Sequence, residues 1–324
     1  MFKTIPIATI KHCFPPNHNS YQCFDNFHNH PFDYKTNQFQ LVNAWWLAET
    51  ALLSYEEPEF AIKYFQDVGL HAKLFSKDNV QCYVAHNDKF VFVVFRGTQV
   101  YKPGLKIPQK DIWKEFWQDI CCDIKLCLVD FNDEGCVHQG FLQDLNKIWF
   151  DSIEPYLKCL SQESRERTFW FTGHSLGAAL ATLAAYRYSN FNGLYTFGSP
   201  LVGDVIFQGN FRKKGFDEKT YRFVNNNDIV TRIPSIAPHI SPLRGIRSYC
   251  HVGQLKYIDY RGNIADNAVF IDRLADTFRG SIAHLLNTVN DLEKGLIIPI
   301  DHIADHAPMY YVIKIWNQYS KCKI

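Results

Sequence analysis

Ser175 stands between two glycines in the run Phe169-Trp170-Phe171-Thr172-Gly173-His174-Ser175-Leu176-Gly177-Ala178-Ala179-Leu180. An apolar stretch before the serine and an Ala-rich stretch after it predict a strand that turns sharply into a helix. Such a turn holds the serine in a strained backbone conformation. Gly173 and Gly177 remove the side chains that would collide where strand and helix cross, and Ala178 and Ala179 let the helix lie close to the sheet. The hydroxyl is then presented at the C-terminal edge of the sheet. The helix N-terminus behind it favours developing negative charge. The chemistry implied is nucleophilic attack by a serine oxygen.

A serine hydroxyl is a poor nucleophile near neutral pH, so it needs a base, and the base needs an acid to orient it. With this type of turn the chain order is serine, then Asp or Glu, then His. Asp228 follows the strand-like segment 221–225 directly, which puts it at the same sheet edge as Ser175. Asp204 and Asp217 lie in or near helical segments and suit solvated or capping roles better. After Asp228 come His239, His251, His284, His302 and His306, of which His284 falls in mid-helix. The tetrahedral oxyanion of acyl transfer needs preorganised N–H donors. The expected donors are the backbone of Leu176, next after the serine, and of Thr98, at the end of Phe95-Arg96-Gly97-Thr98.

The elements that must position these groups follow from periodicity. Leu41, Ala44, Trp45, Ala48, Leu52 and Tyr55 recur at helical spacing, Pro58 interrupts, and a short second helix is expected over 60–65. Segments 80–85 and 90–95 read as strands joined by a hairpin-like turn at 86–89, the second apolar on both faces as in a covered central strand. A helix is expected over 140–160. From Thr168 strand and helix alternate: strands at 168–171, 194–197, 221–225 and 251–259, helices at 176–188, 202–213, 268–290 and 307–319. That alternation implies an α/β fold with a mostly parallel central sheet and helices on both faces. Residues 1–40, rich in His, Asn, Pro and Phe without a period, read as an irregular extension lying over a single domain at 41–324.

Several segments together resemble the class 3 lipases, the fungal-lipase-like family of α/β-hydrolases. They are Val94-Phe95-Arg96-Gly97-Thr98, Val137-His138-Gln139-Gly140-Phe141, the serine turn, Phe197-Gly198-Ser199-Pro200-Leu201-Val202-Gly203-Asp204, Asn226-Asn227-Asp228-Ile229-Val230-Thr231-Arg232-Ile233-Pro234 and Tyr249-Cys250-His251-Val252-Gly253. The resemblance runs over roughly 40–315 and is clearest at 90–258. It implies the α/β-hydrolase fold, with Ser175 as nucleophile, Asp228 as acid, and Thr98 and Leu176 as oxyanion donors. It also implies a base near the C-terminus, in an Asp-His pair with an aromatic residue five positions on. Asp305-His306 with Tyr311 fits that pattern, and Asp301-His302 is a competing pair. Ala307-Pro308 departs from the small polar residue expected after the base. In the family the segment after the oxyanion residue often forms a lid, here 99–114, with Tyr101, Trp113 and several lysines.

Composition excludes some classes. Of the 324 residues 47% are hydrophobic, enough for a large core, and 34 Lys+Arg against 33 Asp+Glu leave a formal net charge of +1, no electrostatic case for nucleic acid. The longest small and apolar run, 176–185, is about half the ~20 residues of a membrane-spanning helix. If the substrate is lipid, contact with the membrane surface is transient. Ten cysteines follow no compact framework, and the first residues lack the apolar run of a secretory signal. Free thiols in a reducing, cytoplasmic setting are therefore expected, with signal-independent export as the alternative. His12, Cys13, His18, Cys23, His28 and His30 have no zinc-like spacing, and no Gly-rich phosphate loop occurs between a strand and a helix, so neither metal nor cofactor is expected.

The expected activity is that of a serine carboxylic ester hydrolase on lipid or small esters, a triacylglycerol lipase or esterase. Phospholipase A1 or lysophospholipase activity on the same machinery is the alternative. A non-catalytic lipid-binding module is disfavoured, because nucleophile, acid, base and oxyanion donors all have candidates in the right order.

Overall fold

Segment Phe90–Phe95 is buried at every position, and its side chains part between two cores. Phe90, Phe92 and Val94 join one, and Val91, Val93 and Phe95 the other. A strand with period-two side chains and apolar residues throughout must be covered on both faces. The computed structural model describes residues 2–17, 19–99, 128–233, 239–241, 245–266 and 304–323.

Among the described residues eight strands build the main sheet: β1 (His71–Lys77), β2 (Val80–His86), β3 (Phe90–Phe95), β4 (Thr168–His174), β5 (Gly193–Phe197), β6 (Thr220–Asn225), β7 (Gln254–Ile258) and β8 (Ile264–Ala265). They lie side by side in that order. From β3 to β7 every pairing is parallel, while β1–β2, β2–β3 and β7–β8 are antiparallel. The parallel strands therefore end at one edge, where crevices between strand ends receive ligands in folds of this kind.

The helices are α1 (Ile10–Cys13), α2 (Leu41–Leu53), α3 (Pro58–Asp67), α4 (Gln139–Ile148), α5 (Glu154–Glu163), α6 (Leu176–Tyr188), α7 (Val205–Lys213) and α8 (Pro308–Lys321). On one face α4, α5, α6 and α7 contribute Leu145, Leu157, Leu180 and Phe207 to the core. On the other, α2 and α8 pack together, with the rings of Trp45 and Trp316 4.7 Å apart. The N-terminal segment packs on this second face through Cys13, Phe14, Tyr21, Cys23, Phe24 and Phe32. Phe24 packs on Trp45 and Trp46, and Phe32 sits among Phe90, Phe92 and Trp170.

The mostly parallel sheet with helices on both faces is the architecture that the alternating pattern implies, and α6 has the expected ends. Three local differences have physical causes. Strand β1, not expected from the sequence, buries only Ala72 and Phe75 in its seven residues, so its apolar signal is weak. The expected helix over 140–160 is interrupted by a π-helical stretch, Trp149–Ile153, which joins α4 to α5. The helix expected from 202 begins at Val205, because Gly203–Asp204 form a short strand paired with Tyr249–Cys250 and the Asp204 side chain caps α7. The expected helix at 268–290 and the lid segment beyond Gln99 lie outside the described residues.

Candidate active site

Ser175 occupies the turn from β4 into α6 with φ 58° and ψ −130°. This is costly ground for a side chain, on the order of 1–3 kcal/mol, and persists only where the surroundings dictate it. The two flanking glycines do so. A Cβ on Gly173 would overlap the backbone of Gly177, and one on Gly177 would overlap the carbonyl of Phe95. Helix α6 thus crosses β3 and β4 at backbone contact. The Ser175 amide bonds the Phe197 carbonyl at 3.0 Å, which ties the turn to the end of β5. Its hydroxyl is buried and makes no hydrogen bond among the described residues. Leu176 is the first residue of α6, so its N–H has no intrahelical acceptor and points out of the helix end. Thr98, half-buried just beyond the end of β3, lines the same cleft as Ser175 and His306.

Asp228 follows β6 and is fully buried. Its carboxylate faces Nδ1 of His306 at 2.9 and 3.0 Å. A carboxylate only accepts, so the imidazole carries its proton on Nδ1, leaving Nε2 as the basic nitrogen. Two further donors hold the carboxylate: the Val230 amide to Oδ1 at 3.0 Å and the Tyr311 hydroxyl to Oδ2 at 2.6 Å. The Asn225 amide donates to the Tyr311 oxygen at 3.0 Å, which directs the phenolic proton toward Asp228. Burial, and then the Asp228 charge, push the Tyr311 hydroxyl well above its ordinary pKa, so it stays a donor. Gly198, with φ +59°, leaves room for the pair: a Cβ there would stand 2.8 Å from Asp228 Oδ2 and 3.0 Å from His306 Nδ1.

The segment that carries His306 is laced to the one that carries Asp228. Asp305 accepts from the Asn226 side chain at 2.8 Å and from the Asn227 amide at 3.2 Å. The Asn225 side chain donates to the Asp305 carbonyl at 2.9 Å and accepts from Lys314 at 2.7 Å. Behind Ser175, His174 is buried between Tyr55 and His306. Its Nε2 donates to the His306 carbonyl at 2.6 Å, so its Nδ1 accepts from the Tyr55 hydroxyl at 2.8 Å. Burial first, then the neighbouring His306, push His174 well below the ordinary histidine pKa, and it stays neutral.

Ser175, His306 and Thr98 thus meet at one cleft, and Asp228 stands directly behind His306. The rivals lie elsewhere. Asp204 accepts from the amides of Cys136, Ile206 and Phe207, and Asp217 from that of Gly253. His251 Nε2 donates to the Thr231 carbonyl at 2.7 Å, and Thr231 in turn bonds the Asp228 carbonyl at 2.7 Å. His284 and His302 lie outside the described residues, and only the backbone of His239 is described, in a short strand. Ala307-Pro308 has a structural reason, since Pro308 opens α8, where a missing N–H costs nothing. Tyr55, His174, Gly198 and Asn225 carry no site role in the sequence reading. Tyr311 enters it only as part of a spacing pattern. Among the described residues no three His, Cys, Asp or Glu side chains converge to hold a metal.

Residues 92–237 match the family model described as lipase (class 3), the family that the motifs resemble. The chain is 41% identical over 118 residues to the chloroplastic phospholipase A(1) DAD1 of Arabidopsis thaliana, covering 32% of this chain and 26% of that protein. It is 36% identical over 116 residues to the secreted mono- and diacylglycerol lipase 1 of Fusarium solani, covering 33% and 34%. The matched stretch is therefore no more than about a third of either relative's length. In three dimensions it resembles the triacylglyceride lipase of Rhizomucor miehei, with a TM-score of 0.51 and 23% identity over 68% of this chain and 81% of that one. That likeness bears on the fold, which is the α/β-hydrolase fold.

Proposed function

We propose that this chain, with its class 3 lipase segment, is a serine carboxylic ester hydrolase acting on lipid esters. The observation that carries the reading is the buried Asp228–His306 pair, whose imidazole borders the same cleft as the strained Ser175. In the reaction, His306 Nε2 takes the proton of Ser175 as its oxygen adds to the ester carbonyl. The N–H groups of Leu176 and Thr98 hold the oxyanion. Collapse breaks the bond to the alcohol, which leaves with the proton from His306, and an acyl-enzyme remains on Ser175. Water, deprotonated by His306, then attacks the acyl carbonyl, the bond to Ser175 Oγ breaks as the acid departs, and His306 returns the proton to Ser175. Asp228 keeps the imidazole in its working tautomer and stabilises the imidazolium.

The substrate class we favour is acylglycerol or a simple ester, met at a membrane or lipid surface. Among the described residues no helix is long and apolar enough to cross a membrane. Phospholipase A1 activity is the second reading, and the likeness to a protein named as a phospholipase A(1) supports it.

The test is an assay of wild type and Ser175→Ala on p-nitrophenyl esters, a triacylglycerol emulsion and phospholipid vesicles. Wild-type turnover is expected to fall by at least about 10⁴-fold in the variant. Equal turnover in the two proteins sinks the assignment of Ser175. The preferred substrate separates esterase, lipase and phospholipase.

A further inference from the structure

The cleft at Ser175 has a wall that the catalytic groups do not supply. Cys13, Phe14 and Pro15 of the N-terminal segment line it together with Thr98, Ser175 and His306. The space between them is about 20 Å³, roughly the room a single water requires. Phe14 is 5% exposed, so its ring is part of a packed wall.

That wall is pinned on both sides. Upstream, the Lys3 amide and carbonyl bond the Asn317 side chain at 2.7 and 2.8 Å, and the Pro6 carbonyl accepts from Tyr310 at 3.1 Å. Both partners are on α8, the helix that follows His306. Downstream, the Asn17 amide bonds Glu56 at 2.6 Å, and the Tyr21 hydroxyl bonds the buried Glu49 at 2.7 Å. A segment held at four points around residues 13–15 is a fixed boundary, not a flap. Its apolar residues suit hydrocarbon, and an acyl-enzyme on Ser175 would hold its acyl chain in the cleft that this segment borders.

We infer that Cys13-Phe14-Pro15 is a wall of the acyl subsite and that the Phe14 ring limits the length of the acyl chain accepted. The inference rests on the ester-hydrolase reading. Each carbon of chain that must enter against Phe14 then costs turnover, and a smaller side chain at 14 readmits it.

The experiment measures kcat/KM for p-nitrophenyl acetate and octanoate, and for acetate esters of alcohols of increasing length, in wild type, Phe14→Leu, Phe14→Ala and Phe14→Trp. The octanoate-to-acetate ratio is expected to rise severalfold in Phe14→Leu and roughly tenfold in Phe14→Ala, the scale of small volume changes in an apolar pocket, and to fall in Phe14→Trp. The opposite signs of the larger and smaller side chains separate a wall from a general loss of folding, and Phe14→Leu keeps most of the packed volume. An acyl ratio that is the same in every folded variant overturns the inference, as does a shift confined to the alcohol series. Absence of any Ser175-dependent turnover in the wild type removes the hydrolase reading and this inference with it.

Discussion

Tyr311 shows how one hydroxyl can serve both fold and site. It accepts from the Asn225 amide and donates to Asp228 Oδ2, the oxygen that also faces His306 Nδ1, so it fixes the Asp228 carboxylate beside the imidazole. Tyr311→Phe leaves the ring in place and removes both bonds. A buried donor left without a partner costs about 1–3 kcal/mol, so the urea midpoint is expected to fall. The carboxylate also gains freedom to rotate away from His306, so kcat on an ester is expected to drop with little change in KM, because the lost contact orients the base and does not bind substrate. Unchanged kcat in a folded Tyr311→Phe would show that Val230 and His306 alone hold Asp228. The positions of Ser175, Asp228 and Leu176 were legible in sequence because each sits at a fixed offset from a strand or helix end. The bonds of Tyr311, Tyr55 and His174 were not. Each joins residues more than 80 positions apart, and periodicity carries no information about which side chains meet across such a distance.

At the scale of elements the site depends on how closely α6 lies on β3 and β4. Gly177 is where that closeness is set, since a Cβ there would overlap the Phe95 carbonyl and the Arg96 backbone. Gly209, in α7, has nothing within 4 Å of the corresponding point. The two glycines therefore predict opposite outcomes for the same substitution. Gly209→Ala removes backbone freedom from the unfolded chain and is expected to stabilise by about 0.5–1 kcal/mol. Gly177→Ala forces a helix off a central strand and is expected to destabilise by about 1–3 kcal/mol or more, with loss of the proposed ester hydrolysis because Thr98 and Ser175 no longer share one edge. Urea unfolding of both variants checks the pair, and a stable, active Gly177→Ala would mean the helix shifts without cost. Strong elements were readable for a related reason. Strand β3 is apolar throughout, and α6 is bounded by its glycines on one side and Ser189-Asn190 on the other. Strand β1 was not, because an edge strand with two buried residues out of seven looks like surface.

Among the described residues, two clusters of buried polar groups join distant parts of the chain. The first is the N-terminal layer, where Tyr21 and Trp45 donate to Glu49 and Lys3 Nζ lies 3.9 Å from the same oxygen. The particular aromatic and acidic partners of this segment could not be read from the sequence, because its residues follow no period. The second is the site itself, where His174 is held neutral between Tyr55 and the His306 carbonyl. Its lowered pKa ties stability to pH in a definite direction. Above about pH 6.5 neither the folded nor the unfolded chain takes up a proton at His174, and its contribution is flat. Below that, the unfolded histidine binds a proton that the folded one refuses, so stability falls by about 1.4 kcal/mol per pH unit for this group until its folded pKa is reached. His251, pushed down by burial and then by Arg222, acts with the same sign. Urea unfolding at pH 7.5, 6.5 and 5.5 is expected to show this acid loss in wild type. In His174→Asn the loss between pH 6.5 and 5.5 is expected to shrink by about 1 kcal/mol, with the share of His251 retained. Parallel curves for the two proteins would mean that His174 takes up its proton in the folded state, and that its bond to the His306 carbonyl survives with a charged ring.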